Sequence, residues 1–485
     1  MSITNKIASN FIWRFLERSG AQIVTFIVSI ILARLLNPDV YGSIALVTVF
    51  ITILQVFVDS GLANSLIQKK NVDDLDYSSV FYFNIFVCLV LYGVMFLAAP
   101  LISKFYEISE LTPIIRVLSI TLVISGVKNI QQAYVSKNML FKRFFWSTIS
   151  GTIFSAIVGI VMAYCGFGIW ALVYQHLVNL LVGTIVLWIT VKWRPKLMFS
   201  WVRLKRLLSF GWKLLVSSLI DNIYNNIRQL LIGKMYSSSD LGYYNQGKKF
   251  PDVIVSNIGT SIDSVLFPTM SEAQDNISEV RLLTRRSIKM SSYLMAPMMV
   301  GLACVSKPLT ILILTEKWLP CVLYMQIFCI VYLFHPIQSA NLNAIKALGR
   351  SDVFLMLDII KRVVSFVVLF TAIWFGVEVI AYSMLINTLL TLALNSWPNK
   401  KLLGYTYKQQ IFDIIPPILL ACVMGVIVYA ISFFDLPVIV MILLQVTVGI
   451  FVYLFGSTVF RFESFIDIVN VIKRFFLSKT KNRNL

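Results

Sequence analysis

Charge and histidine are what this chain has least of. Of its 485 residues only 13% are charged, 23 are acidic against 42 lysines and arginines, and two are histidine. Such scarcity, beside 58% apolar residues and a mean hydropathy of +0.81, excludes a soluble globular class, because that much apolar surface could not be hidden from water. His176 and His335 each stand alone in an apolar run. That suits packing and argues against a membrane acyltransferase, which would need a catalytic imidazole in polar company. The six cysteines are scattered without a C-x-x-C pair or a histidine neighbour, so they read as small buried hydrophobes. No Walker A motif occurs, and no hydrolysis of nucleotide is expected. The amino terminus shows no separate apolar core followed by a small-residue cleavage site, so no cleaved signal peptide is expected. No connection could hold a soluble domain or the large outer loop of a polysaccharide polymerase, the longest lying near 192–209 and 268–286.

What fills the chain instead is apolar runs. A spanning helix takes about 20 residues, and candidate spans start near Ser19, Tyr41, Ser79, Ile114, Trp146, Gly168, Gly211, Leu241, Ile288, Leu319, Phe354, Val377, Ile414 and Leu436. The expectation is an all-α polytopic membrane protein of about fourteen transmembrane helices. The net charge of +19 could suggest nucleic acid, but its placement says otherwise. The connections on the amino-terminal side hold 31 of the 42 basic residues, whereas those on the other side hold five: Arg34, Lys104, Lys234, Lys307 and Lys317. By the positive-inside rule both termini are then cytoplasmic.

The chain also says something twice. The stretch 11–68 is echoed by 210–267: Trp13-Arg14 by Trp212-Lys213, Arg34 by Lys234, Gly42 by Gly242, and Phe50 by Phe250. Two similar halves are the arrangement of alternating-access carriers, which bind substrate at the seam. The expected organisation is a six-helix bundle over 1–191, a cytoplasmic linker over 192–210, a second six-helix bundle over 211–398, accessory helices 13 and 14 over 399–460, and a basic cytoplasmic tail over 461–485. The linker carries Trp193, Trp201 and six basic residues, as a segment lying along the headgroups would.

Polar side chains recur at helical spacing in both copies. The first span carries Arg14, Arg18, Gln22, Thr25 and Ser29 on one face, and the second Thr48, Thr52, Gln55 and Asp59. The seventh carries Lys213, Ser217, Asp221, Asn225 and Arg228. The eighth carries Asn245, Lys249, Asp252, Ser256 and Asp263, with Lys248 adjacent. A charge at the bilayer centre costs roughly 2.5–3.5 kcal/mol, so these four helices are expected to surround water. A cavity with Arg14, Arg18, Lys213, Arg228, Lys248 and Lys249 would be cationic, and its low-dielectric walls would favour a phosphate or pyrophosphate. Asn225, with Asn222 and Asn226, suits sugar hydroxyls. Asp59, Asp221, Asp252 and Asp263 are candidates for ion coupling or gating, with no cofactor or metal beyond a proton or sodium gradient. Each has a plainer rival: snorkelling for Arg14, Arg18 and Lys213, a local pair for Asp221 with Arg228, and another for Lys248 with Asp252. Asp358 can likewise pair with Lys361 or Arg362.

Several motifs together carry a family resemblance. They are Ala33-Arg34-Leu35-Leu36-Asn37-Pro38-Asp39-Val40-Tyr41-Gly42, Gly166-Phe167-Gly168-Ile169-Trp170-Ala171-Leu172-Val173, Leu241-Gly242-Tyr243-Tyr244-Asn245, Leu266-Phe267-Pro268 with Ser271, and Glu316-Lys317-Trp318. As a set, running nearly the length of the chain, these resemble the Wzx-type polysaccharide flippases, in the WzxC/TuaB-like branch of the multidrug/oligosaccharidyl-lipid/polysaccharide exporter superfamily. One position departs from the family's N-x-D-x-L-L-I-G stretch: Arg228 stands where the family has Asp. The resemblance implies two pseudo-symmetric six-helix bundles in a V, as in MATE transporters, plus two carboxy-terminal helices. It implies an undecaprenyl-pyrophosphate-linked oligosaccharide as substrate, turned across the bacterial inner membrane for O-antigen lipopolysaccharide, capsule or exopolysaccharide. It also implies no enzymatic step, and a polymerase and chain-length regulator as pathway partners. The alternatives are a multidrug or organic-cation antiporter of the same fold, which would call for an acidic, aromatic cavity, and an integral membrane glycan-modifying enzyme.

Overall fold

The computed structural model describes residues 3–59 and 62–470, and its described residues are helical with short connections. In chain order the helices are α1 (Ile3–Leu35), α2 (Pro38–Asp59), α3 (Leu62–Gln68), α4 (Asp74–Tyr106), α5 (Leu111–Leu118), α6 (Ile120–Lys137), α7 (Phe141–Tyr164), α8 (Ile169–Thr190) and α9 (Trp201–Met235). They continue as α10 (Ser238–Glu272), α11 (Ile277–Ile313), α12 (Cys321–Leu333), α13 (His335–Ala347), α14 (Ser351–Ala372), α15 (Val377–Leu402), α16 (Tyr407–Ala430) and α17 (Val438–Val459). Eleven helices among the described residues are long and apolar enough to cross a membrane, counting α5 with α6 and α12 with α13 as one each. The other three of the fourteen expected spans fall on α1, whose apolar part is Ser19–Leu35, and on the charge-bearing α9 and α14.

Local chemistry sets the helix ends. Asp73 caps α4 through a reciprocal pair: its carboxylate accepts from the Asp76 N–H, and the Asp76 carboxylate accepts from the Asp73 N–H. Thr406 and Gln409 do the same for α16. The turn between α7 and α8 places Gly166 at φ 78° and Gly168 at φ 55°, the left-handed region that glycine enters at least cost. The two helices then pack at backbone distance: Ser147 Oγ donates to Gly183 O at 2.6 Å, and a Cβ on Gly151 would lie 2.5 Å from Asn179 O. Small residues at such crossings let transmembrane helices gain dispersion contact where lipid offers no hydrophobic drive.

The described chain divides into two compact units, Met1–Gly242 and Tyr243–Leu485. The sequence repeat and the packing therefore cut the chain at different places. α9, the first helix of the second repeat, packs lengthwise on α2 within the first unit. A Cβ on Gly233 would strike the Leu46 side chain at 2.3 Å, and Tyr106 OH donates to Leu230 O at 3.3 Å. The echoed glycines meet here too. A Cβ on Gly42 would lie 1.7 Å from Ser238 O, and one on Gly242 would lie 2.2 Å from Pro38 O, so the first turns of α2 and α10 cross reciprocally. The linker is also part of the first unit. Lys196 N and Ser200 N donate to Ser78 Oγ and Ser79 Oγ at 3.0 and 2.9 Å, and Trp193 Nε1 donates to Asp74 Oδ1 at 3.1 Å.

In the second unit α11 is the central helix, with α12, α13, α16 and α17 around it. Asn341, Ser396, Asn399 and Gln410, all fully buried or nearly so, form one amide network: Asn341 Nδ2 donates to Gln410 Oε1 at 2.7 Å and Asn399 Nδ2 to Asn341 Oδ1 at 2.6 Å. The segment after α17 is helical over 463–470. Phe462, Phe465 and Ile468 pack on the cluster around Tyr293 and Tyr453, while Asp467 and Glu463 meet Arg286 and Lys289 at 2.9 and 2.8 Å.

Candidate binding site

The expected site residues are carried by four helices, and each unit holds its own share. In the first unit α2 and α9 run antiparallel, so opposite ends of their sequences share a level. Arg228 is 8% exposed and lies half a turn before Leu230, whose carbonyl accepts from Tyr106 OH. Since Gly233 faces Leu46 and Tyr106 also meets Phe50, Arg228 lies level with the middle of α2. Asn225 is exposed and Asp221 half-buried on the same helix. Each neighbouring amide has one of its two N–H groups taken by the helix backbone: Asn222 Nδ2 donates to Ser218 O at 2.9 Å, and Asn226 Nδ2 to Asn222 O at 2.8 Å. The side chains of Arg14, Arg18 and Lys213 lie outside the described residues.

Asp59 stands at the opposite end of α2, in a polar cluster of its own. Its Oδ1 accepts from Gln55 Nε2 and from Asn129 Nδ2, both at 3.0 Å, and Asn129 Nδ2 also reaches Val58 O at 2.6 Å. Lys128 on α6 interacts electrostatically with both Asp59 and Glu17. Glu17 on α1 is buried and accepts from Thr148 Oγ1 at 3.0 Å. Glu17 did not stand out in the sequence, because it lies off the Arg14–Arg18 stripe. Lys128 opens the polar run Lys128-Asn129-Ile130-Gln131-Gln132, which with Arg116 sets the fourth span apart from its apolar neighbours. What marks both is ionisable character within a spanning segment, a signal of function whatever the periodicity.

In the second unit Lys248 and Lys249 are half-buried at successive positions of α10. The local pair open to Lys248 and Asp252 does not form: among the described residues no ion pair joins them, and Asp252 Oδ1 accepts from Tyr332 OH at 2.9 Å. Asp263 lies fourteen residues beyond Lys249, about 21 Å along the helix, so it is a separate feature. It accepts from Ser339 and, at 2.8 Å, from Asn343 Nδ2, with His335 lining the same small pocket. The pairing open to Asp358 does form, with Arg362 Nε at 2.8 Å and Lys361 Nζ at 3.9 Å. Apart from these, an apolar cavity of about 520 Å³ lies between α11, α16 and α17, lined by residues such as Pro297, Met298, Met424, Gly449 and Leu454. No group of three or more metal-ligating side chains occurs among the described residues.

The chain matches a family pattern over residues 31–323, that of the polysaccharide biosynthesis proteins. The chain belongs to that family. Among its relatives, the teichuronic acid biosynthesis protein TuaB of Bacillus subtilis (strain 168) is 24% identical over 465 residues, covering 94% of this chain and 95% of its own. The lipopolysaccharide biosynthesis protein WzxC of Escherichia coli (strain K12) is 24% identical over 443 residues, 89% of each chain. The succinoglycan biosynthesis transport protein ExoT of Rhizobium meliloti (strain 1021) is 24% identical over 313 residues, 64% of this chain and 63% of its own. Two solved structures share the fold. The lipid II flippase MurJ in an inward closed conformation has a TM-score of 0.76 at 15% identity, covering 95% of this chain and all of its own. An inward-facing multidrug resistance MATE family transporter of the MOP superfamily has a TM-score of 0.64 at 12% identity, covering 80% and 96%. This polysaccharide biosynthesis protein is thus an all-α membrane protein of the MurJ and MATE fold, as the sequence motifs imply.

Proposed function

We propose that the chain is a flippase that carries undecaprenyl-pyrophosphate-linked oligosaccharide units across the bacterial inner membrane, both its termini being cytoplasmic. The units would serve O-antigen lipopolysaccharide, capsule or exopolysaccharide. The observation that carries this reading is the surplus of cations on α9 and α10, where Arg228 is buried and Lys248 and Lys249 are half-buried, in a family whose named relatives include a transport protein for an exported glycan. A charge kept at depth is costly unless a function needs it, and a pyrophosphate is the partner that such cations hold best. Arg14, Arg18 and Lys213 are assigned to the same task by their places on α1 and α9. Asn225 is assigned to the glycan. The apolar cavity beside α16 and α17 suits a hydrocarbon chain. Asp59, Asp221, Asp252 and Asp263 are assigned to coupling with a proton or sodium gradient or to gating. In this reading the cations are exposed alternately to the two membrane faces, no bond is made or broken, and a polymerase and chain-length regulator act downstream.

The test is charge reversal at Arg228→Glu and Lys249→Glu in cells that depend on this gene for surface glycan. Export should fall to background and lipid-linked precursor should accumulate, while both variants remain in the membrane at normal level. Normal polymer in both strains removes these residues from the mechanism. Normal polymer in a strain lacking the gene removes the flippase reading altogether.

A further inference from the structure

The linker between the repeats is held rigidly, and that rigidity keeps apolar side chains from packing against the protein. Residues 191–200 are not helical, yet they are fixed by the hydrogen bonds to Ser78, Ser79 and Asp74 already described. Further ties are Gln131 Nε2 to Trp193 O at 3.0 Å and the ion pairs of Lys196 with Asp74 and Arg203 with Asp73. With Val191 and Trp193 turned inward, the segment presents Leu197 at 98% exposure, Phe199 at 52%, Trp201 at 56% and Val202 at 71%. The first two turns of α9 continue the same face, because Trp201, Val202, Lys205 and Arg206 are exposed while Leu204 and Leu207 are buried. Four large apolar side chains in a row, on a segment that cannot fold them away, require a cover.

Two features identify the cover as the membrane surface. The first is continuity. Trp201 meets Phe83 of α4 with ring centroids 6.4 Å apart. From there Phe86, Val90, Val94, Leu97 and Leu101 follow at helical spacing along a membrane-crossing helix, all exposed, so the strip adjoins a lipid-facing stripe. The second is charge. Lys192, Lys205 and Arg206 are exposed, and among the described residues no acidic group pairs with them. Aromatic and basic side chains mixed in this way are the composition of segments that lie at an anionic membrane interface.

We infer that the linker is a docking face for anionic phospholipid, with Leu197, Phe199, Trp201 and Val202 seated at the acyl–headgroup boundary and Lys192, Lys205 and Arg206 on the phosphates. The full chain in nanodiscs tests this, and the outcome does not depend on what the chain transports. Subtracting the emission of a Trp201→Phe variant isolates Trp201, which should be quenched by phosphatidylglycerol brominated near the headgroup. Each basic side chain near an anionic surface contributes about fivefold to binding. The triple variant Lys192→Gln, Lys205→Gln, Arg206→Gln should therefore retain short-chain phosphatidylglycerol on the order of a hundredfold less tightly in native mass spectrometry. Its binding of phosphatidylcholine should not change. Trp201 unquenched by brominated lipid, or equal phosphatidylglycerol retention by the triple variant, overturns the inference. An unquenched Trp201 that a pathway protein shields in cells would assign the face to protein instead.

Discussion

Replacing Gly42 by alanine should be among the most damaging single-methyl additions in this protein. The added Cβ would sit 1.7 Å from the Ser238 carbonyl oxygen and 2.5 Å from its carbon, and both obstacles are backbone, which cannot rotate aside. The helix itself would gain about 0.5–1 kcal/mol from the exchange, whereas overpacking of a fitted interior costs about 1–3 kcal/mol. The backbone opponent puts this site at the upper end, so a net loss of about 1–2 kcal/mol is expected, a five- to thirtyfold change in the ratio of folded to unfolded protein. Gly93→Ala supplies the control, since nothing lies within 4 Å of its Cβ. That variant should be neutral or slightly more stable. Chemical denaturation of the purified protein in detergent, with membrane yield alongside, reads both. A Gly42→Ala protein as stable as Gly93→Ala would refute the close crossing of α2 and α10, and the repeat would lose its structural meaning there.

Gly242→Ala should behave like Gly42→Ala in the same assay, because its Cβ would meet Pro38 O at 2.2 Å. Asn341→Leu should cost about 1–3 kcal/mol by stranding the buried amide of Asn399, and a melt unchanged from wild type would rule out the network. Asp413 accepts from Arg285 Nε and Nη2 at 2.7 and 2.9 Å and from Tyr405 OH at 2.7 Å; Asp413→Asn should lower stability by a similar amount and loosen the 463–470 helix, as limited proteolysis would show. The Arg203 guanidinium holds the Asp73 carboxyl down at about 2, below its ordinary 3.8. A depressed carboxyl stabilises the fold above its unfolded value and loses that contribution as pH falls through the folded one. Protection of the linker from protease should therefore fall between about pH 4 and pH 2, and Asp73→Asn should abolish that pH dependence; an identical profile in the variant would separate Asp73 from the linker clamp.

Which ionisable groups share a partner was the part least legible in the chain. Local spacing allows Lys248 to meet Asp252, and Tyr332 from a distant helix takes that carboxylate instead. The same rule succeeds for Asp358 and Arg362. Spacing along one helix is the same in both cases, so the competitor from another helix decides, and one helix's sequence does not contain it. The clusters at Asp59 and Asp263 likewise assemble from separate helices, which no short window of sequence can show.

By itself the sequence determined the class and the helical content, which depend on transfer to lipid, and the existence of a repeat, which is read from the order of residues alone. The tertiary structure decided that α9 and the first turn of α10 belong with the first unit, that the linker is clamped to α4, and which buried charges are already paired. Those outcomes rest on fits between surfaces remote in the chain, such as Gly42 on Ser238, where a single methyl group decides whether two helices can approach.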